Sequence, residues 1–334
     1  MKIAVLGAGA WGTALAIAWA RRDPAHVLSL WSRDEGHAEA MRQSRGNALL
    51  PGVQLPAGIS PEEDFTRAMA GMELAVIATP VVGLRSTVRA VASLDARIPI
   101  IWVCKGFEAG TGLLPHQVVE AELQSLGNQN IRSGTLTGPS FALEVARQQP
   151  TAVTFAARDA VWAESMAREL HTQRLRVYAH DDLIGAEVGG AVKNVLAIAT
   201  GICDGLGLGF NARAALMTRG LAEIARLGLA LGGRQETFMG LAGAGDLILT
   251  CTGDLSRNRK VGLALAEGKA LPQILSDLGH VAEGVSTARE VARLAVKHQV
   301  DMPIATTVAA VLDGEFDAQT GVEQLLARSP KFEF

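Results

Sequence analysis

A lysine in the middle of an otherwise apolar stretch is the residue of this chain whose setting most plainly invites chemistry. From Leu183 to Cys203 the sequence is small and apolar nearly all round, with Lys193-Asn194 at its centre. That pattern predicts a helix buried on most faces. Gly185, Gly189 and Gly190 cost helix propensity, so close backbone packing is their expected purpose. A charged lysine there is expensive unless it is paired or its pKa falls. A lysine tuned in this way serves as a general acid or base near neutral pH. A lysine snorkelling to the surface would read the same. Glu187, on another face of the helix, is a poor local partner. A second lysine, Lys105, ends the strand-like run from Ile98 to Cys104, and the carboxyl end of a parallel strand is where open α/β sheets bind ligands. Further on, Gly243 and Gly245 precede an acid, Asp246. Ser256-Arg257-Asn258 then sets a hydroxyl, a guanidinium and an amide at a helix start. Such a start can cradle phosphate, although an N-cap serine with exposed arginines would look alike.

A third group of residues handles a different ligand. Gly7-Ala8-Gly9-Ala10-Trp11-Gly12 follows the apolar run Ile3 to Leu6 and opens the helical segment Thr13 to Ala18. A G-x-G-x-x-G turn between a strand and a helix is a dinucleotide-binding pattern. Gly7 allows the tight turn, Gly9 lets a pyrophosphate approach, and Gly12 lets the helix sit on the strand. A signal peptide is the competing reading, with Lys2 ahead of the apolar run and Ala18-Trp19-Ala20 as a cleavage-like site. The glycines inside the apolar run and Arg21-Arg22 after it weigh against that. The next strand, Val27 to Trp31, runs into Ser32-Arg33-Asp34. Arg33 can accept a 2′-phosphate and leans toward NADP(H), Asp34 keeps NAD(H) open, and a solvated loop charge is an equal reading of Arg33.

The elements that must position these groups follow from pattern. Asn47 to Pro56, with two prolines and a glycine, is a shaped loop. Strands are expected at Leu74 to Ala78, Ile98 to Cys104, Gly134 to Thr137, Ala152 to Phe155 and Leu175 to Tyr178. Helices are expected from Val81 and over about Ala160 to Leu170. Pro139 suits the first position of a helix continuing through Phe141 to Arg147. This alternation predicts a doubly wound sheet. After Asp181 strand signals vanish. The expected architecture is therefore an α/β Rossmann-type domain over residues 1–181 and an all-α domain over 182–334, packed without a linker. Within the second, Ala212 to Leu231 reads as a helix whose Arg219, Glu223 and Arg226 form a solvated, self-pairing stripe. The loop Gly279 to Val285 shows no chemistry of its own, and a helix follows it from Thr287 to His298.

Composition bounds the function. The chain has 334 residues, 49% hydrophobic and 19% charged, and a net charge of −3, so no basic field points to nucleic acid. The seven histidines and three scattered cysteines, Cys104, Cys203 and Cys251, make no metal-ligand spacing, so no metal is expected. The odd cysteine count fits a reducing, cytoplasmic compartment. No apolar run reaches a membrane span without Gly or charge, so no membrane insertion is expected.

Taken in order, Gly7 to Ala14, Gly138-Pro139-Ser140-Phe141-Ala142, Val192-Lys193-Asn194, Leu241 to Leu247, Ser256 to Arg259 and Val281-Ala282-Glu283-Gly284 resemble the bacterial NAD(P)-dependent glycerol-3-phosphate dehydrogenases across nearly the whole chain. The resemblance implies reversible hydride transfer between NADP(H) and/or NAD(H) and a small phosphorylated substrate. Dihydroxyacetone phosphate would be interconverted with sn-glycerol 3-phosphate for glycerophospholipid synthesis. It implies Lys193 as proton acceptor, and Lys105, Gly138, Ser140, Asp246, Ser256, Arg257 and Asn258 around the substrate. Cofactor contacts would come from Ala10, Trp11, Arg33, Lys105, Ala142, Arg257, Val281 and Glu283, with Asn194 and Thr250 as helpers beside Lys193. A homodimer is also implied. One departure stands out: Ala48-Leu49 replaces a basic-aromatic pair that many relatives carry before Leu-Pro-Gly. On physical grounds Lys105 and Lys193 should converge in the cleft, where burial and like charge lower the pKa of Lys193 and Asp246 orients it. Two rivals remain. A two-domain hydroxyacid reductase would have no need of the Ser-Arg-Asn turn. A non-catalytic nucleotide-sensing regulator would leave the buried lysine unexplained.

Overall fold

The strand β1 (Lys2–Leu6) buries both faces: Ile3 and Val5 enter one core, Ala4 and Leu6 another. That is the mark of a parallel strand covered by helices on both sides. The computed structural model describes residues 1–22, 26–95, 97–279, 282–329 and 332. Around β1 lie β2 (Val27–Trp31), β3 (Ile59–Glu62), β4 (Leu74–Ile77), β5 (Ile100–Trp102), β6 (Ser133–Thr137), β7 (Thr151–Ala157) and β8 (Leu175–His180), in the order β3-β2-β1-β4-β5-β6-β7-β8. The order reverses at β1, so the glycine turn at its carboxyl end opens onto the topological switch point. The sheet is covered by α1 (Ala10–Ala20), α2 (Glu35–Ser44), α3 (Phe65–Met69), α4 (Val81–Leu94), α5 (Pro115–Ser125), α6 (Ala142–Ala146) and α7 (Ala160–Leu170).

Three details depart from the pattern read in the sequence. The edge strand β3 has no counterpart there: Ile-Ser-Pro-Glu carries Pro61, which an edge position tolerates. The sheet is not wholly parallel, because β7 runs antiparallel to β6, with Thr137 opposite Thr154. The chain between them carries only the five-residue α6, too little for a crossover, and it folds toward the ligand end of the sheet instead. Pro139 is not a helix start; α6 begins at Ala142, after an extended Phe141.

Beyond β8 the described chain is helical: α8 (Leu183–Gly205), α9 (Gly209–Ala230), α10 (Gln235–Met239), a π turn (Leu241–Gly245), α11 (Asp246–Thr252), α12 (Arg257–Ala266), α13 (Leu271–Leu278), α14 (Glu283–His298), α15 (Pro303–Leu312) and α16 (Ala318–Leu326). The central α8 is buried along almost its whole length, with α9, α11, α12, α14 and α15 packed on it. It is long and apolar enough to cross a membrane, but 94% of its apolar window is buried inside the fold. Two glycine crossings set its neighbours. A Cβ on Gly201 would collide with the Arg259 carbonyl of α12, and one on Gly189 with the Ala242 carbonyl of the π turn. The expected solvated stripe on α9 is corrected. Glu223 is buried, and its carboxylate accepts the N–H groups of Ile304 (2.7 Å) and Ala305 (3.0 Å) at the start of α15. Burial pushes its pKa up to about 7 against those two hydrogen bonds. Helix α14 also starts earlier than its pattern suggests, with Glu283 in the first turn.

Candidate active site

At the end of β1, Gly7 adopts φ +124°, and a Cβ there would lie 2.8 Å from the Ala78 carbonyl. A Cβ on Gly12 would strike the Gly7 carbonyl, so both glycines serve the turn itself. Gly9 differs: it is the N-cap of α1, offers no side-chain cap, and a Cβ built on it would meet nothing within 4 Å. The helix start is therefore uncapped and faces open space, which suits an anion at the positive dipole end. The indole Nε1 of Trp11, beside it, is buried without a protein partner. These features fit a dinucleotide pyrophosphate. One supporting residue escaped the sequence reading. Asn47 donates from Nδ2 to the Ala8 carbonyl (3.0 Å) and to Thr13 Oγ1 (2.7 Å), clamping the 47–56 loop onto the turn. Its only signal was its place at the head of a proline-bounded loop.

The charged groups meet where the chain after β5, α8 and α11 come together. Asp246, fully buried at the start of α11, accepts Lys193 Nζ on Oδ1 and Lys105 Nζ on Oδ2, each at 2.6 Å. Thr250, one helical turn on, accepts Lys193 Nζ at 2.7 Å and donates to the Asp246 carbonyl at 2.6 Å. Lys105 also donates to the Gly138 carbonyl (3.1 Å), which Ser140 Oγ shares at 3.0 Å. Burial is the largest influence on Lys193. Asp246 opposes it, the neighbouring Lys105 charge reinforces it, and the pKa falls to about 8. One carboxylate holding two amines leaves the pair with a net positive charge in a dry site, suited to binding an oxygen that gains charge.

The other predicted residues are placed more variously. Ser256 is the N-cap of α12, accepting from Arg259 N at 3.2 Å, and it is buried. Arg257, the first residue of α12, is exposed. The amide of Asn258 is already engaged, donating to Asn194 Oδ1 (2.9 Å) and accepting from Gly284 N (3.0 Å). Asn194 accordingly ties α8 to α12 and makes no hydrogen bond to the Lys193 amine. Burial pushes the carboxyl of Glu283, the first residue of α14, up, against the pull of Arg257 and of the nearby Lys105 and Val81 amides. Ala142 opens α6 near the Ser140 turn. Val281 lies outside the described residues. Among the described residues no three His, Cys, Asp or Glu side chains gather as metal ligands.

This constellation has relatives. Residues 2–163 match the family model described as NAD-dependent glycerol-3-phosphate dehydrogenase N-terminus, and residues 182–323 match the one described as its C-terminus. The chain belongs to the NAD-dependent glycerol-3-phosphate dehydrogenase family. It is 64% identical over 334 residues to glycerol-3-phosphate dehydrogenase [NAD(P)+] of Dechloromonas aromatica, covering 100% of this chain and 99% of that one. It is 57% identical over 335 residues to the same-named protein of Aromatoleum aromaticum, covering 100% of both. The crystal structure of glycerol-3-phosphate dehydrogenase from Coxiella burnetii superposes with a TM-score of 0.92 at 42% identity, covering 98% of this chain and 99% of that one.

Within this dehydrogenase family framework the chain is an NAD(P)-dependent oxidoreductase with a Rossmann-type first layer. The residues after β2 bear on which dinucleotide it takes. Asp34 is the N-cap of α2, its Oδ1 accepting from His37 N at 3.0 Å. Arg33 is exposed, and its side chain has no hydrogen-bond or ion-pair partner among the described residues.

Proposed function

We propose that residues 1–181 hold NADP(H) or NAD(H) and that residues 182–334 hold the phosphorylated substrate, with the reacting carbon between them. The activity is reversible interconversion of dihydroxyacetone phosphate and sn-glycerol 3-phosphate. The observation that carries the residue assignment is the pair of buried amines on one carboxylate, Lys193 and Lys105 on Asp246. The nicotinamide supplies or takes the hydride at C2 when bound. Lys193 gives its proton to the C2 oxygen in the reductive direction and takes it back in the oxidative one, while Lys105 steadies the same oxygen. Asp246 and Thr250 aim the Lys193 amine. Arg257 and the start of α12 take the phosphate, a role for which the exposed guanidinium and the helix dipole are suited. Asn258 holds that start against α8 and α14 and has a second amide N–H to offer the phosphate.

The sign of the pH response follows from Lys193. Reduction needs the ammonium and fades as pH rises through about 8; oxidation needs the free amine and grows over the same range. The first measurement is reduction of dihydroxyacetone phosphate with NADPH and with NADH side by side, with a panel of 2-keto acids as controls. Turnover of the keto acids but not of the triose phosphate would replace this reading with the hydroxyacid reductase. Cofactor binding without any turnover would replace it with the nucleotide sensor.

The wider setting we propose is supply of glycerol 3-phosphate for glycerophospholipid synthesis in the cytoplasm, where three free, buried cysteines are at home. The proposed assembly is a homodimer through the helical layer, supported by the exposed apolar residues Phe210, Leu229, Val296 and Leu326. Sedimentation at the mass of one chain would overturn it.

A further inference from the structure

One buried ionisable cluster takes no part in the chemistry above. Glu187, on α8, is almost wholly enclosed, and its carboxylate gathers three donors from the sheet layer. Oε1 accepts Trp102 Nε1 (2.8 Å) and the backbone N–H of His116 (2.9 Å), while Oε2 is bonded to His116 Nδ1. Trp102 ends β5 and His116 lies in the first turn of α5, so the cluster bolts the helical layer to the sheet.

Its distance from the reacting groups gives it a purpose. From Trp102 the chain continues past β5 to Lys105, about 10 Å if extended. From Glu187 to Lys193 along α8 the rise is about 9 Å. The two arms are nearly equal. They are joined at one end by the Trp102–Glu187 hydrogen bond and at the other by Lys105–Asp246–Lys193. Between them Gly190 has no side chain, and a Cβ there would lie 3.5 Å from the Lys105 stem. Apolar packing alone tolerates small axial slips of one element on another; directional hydrogen bonds in a dry interior do not.

We infer that Glu187 is a positioning residue for the reaction: its bonds to Trp102 and His116 fix the register of α8 on β5 so that the Lys193 and Lys105 amines meet on Asp246. This rests on the reading of Lys193 as acid and base, which turnover of the unaltered enzyme and of Lys193→Met tests separately.

The experiment compares Glu187→Gln with Glu187→Leu in the full chain. Gln keeps an acceptor for Trp102 and His116 N, and it should stay within about threefold of the parent kcat. Leu fills much of the same space with no acceptor. Per folded molecule its kcat should fall about 10- to 100-fold, because small misplacements of reacting groups are costly, with NAD(P)H affinity within about threefold. Its reductive rate should also lose its decline near pH 8, the decline moving upward as Lys193 leaves its dry site. A residue that only stabilised the fold would lower Tm and leave the pH profile where it was. An unchanged pH profile and kcat in folded Glu187→Leu overturns the inference. If Glu187→Leu does not fold, Trp102→Phe removes one donor only; it should show a smaller kcat loss with the same upward pH shift, and parental values for both overturn the inference equally.

Discussion

The glycine turn after β1 and the glycines of α8 use one residue type for opposite ends. At Gly9 a Cβ would touch nothing, so the missing side chain keeps space for a ligand. At Gly201 and Gly189 a Cβ would collide with backbone carbonyls, so the missing side chain removes distance between helices. The first layer thus offers an opening lined with backbone N–H groups. The second presses helices together until two amines and a carboxylate share a dry site. The proposed binding turn is local to one strand and one helix; the proposed acid–base lysine is buried and depends on several helices. Substitutions in the two regions should separate along that line.

The largest effect belongs to the buried side. Lys193→Met, nearly isosteric and uncharged, should lower kcat by roughly 10²- to 10⁴-fold, the range for a lost general acid or base, while NAD(P)H still binds with near-parental affinity. Fluorescence titration of NADPH alongside turnover checks both halves. A variant retaining a tenth or more of the parent kcat removes Lys193 from the proton's path.

Next comes the pair that tests the comparison directly. Gly9→Val should weaken cofactor binding by about tenfold or more through steric exclusion at the open helix start, with little change in Tm. Gly201→Ala should do the reverse. Overpacking of this kind costs about 1–3 kcal/mol, a loss of a few degrees in Tm, with cofactor affinity close to the parent's. If Gly201→Ala loses no stability, or Gly9→Val binds normally, the distinction drawn between the two kinds of glycine is wrong.

How far these regions could be read beforehand follows the same division. The turn, the strands that flank it and the burial of α8 are local patterns, and they are visible in composition and spacing. Asp246 is the partner expected for Lys193 although it lies 53 residues away; what pattern did not show is the π turn that delivers it. Periodicity placed Glu223 on a solvated stripe because Arg219 and Arg226 flank it, but tertiary packing of α15 buries it as a helix cap. The same limit hid Glu187, a poor partner for its own helix and a good one for Trp102 and His116 on the sheet side. The antiparallel β7 was hidden because a strand pattern carries no direction. Asn258 reads as a phosphate ligand by residue type, and only the fold shows that one of its N–H groups and its Oδ1 also tie α12 to Asn194 and Gly284.

Arg257 probes the proposed phosphate side of the site. It is exposed at the start of α12, and its charge also pulls on Glu283. A charge-assisted hydrogen bond to phosphate contributes about 1.5–3 kcal/mol, so Arg257→Ala should raise KM for dihydroxyacetone phosphate by roughly 10- to 100-fold. Tm should hold, because no buried contact is lost. An unchanged KM would move the phosphate elsewhere on the cleft wall.

The smallest expected effect is at Arg33, and it refines the open side of the comparison. An NAD-reading site needs a free acid after β2 to accept the ribose hydroxyl. The acid here, Asp34, has its carboxylate turned to the start of α2, where it accepts His37 N at 3.0 Å. The Arg33 guanidinium next to it is exposed and has no partner among the described residues, so a 2′-phosphate could claim it without breaking an existing bond. Exposure also limits the gain, since a charge pair near water contributes little. Arg33→Gln should therefore reduce the NADPH-over-NADH ratio of kcat/KM by about 3- to 10-fold, mostly through KM for NADPH, with NADH kinetics and Tm unchanged. Raised salt should shrink the parent's ratio toward the variant's, because exposed charges are screened. Equal ratios in parent and variant at low salt would make Arg33 a solvated loop charge and leave discrimination to the backbone of the turn.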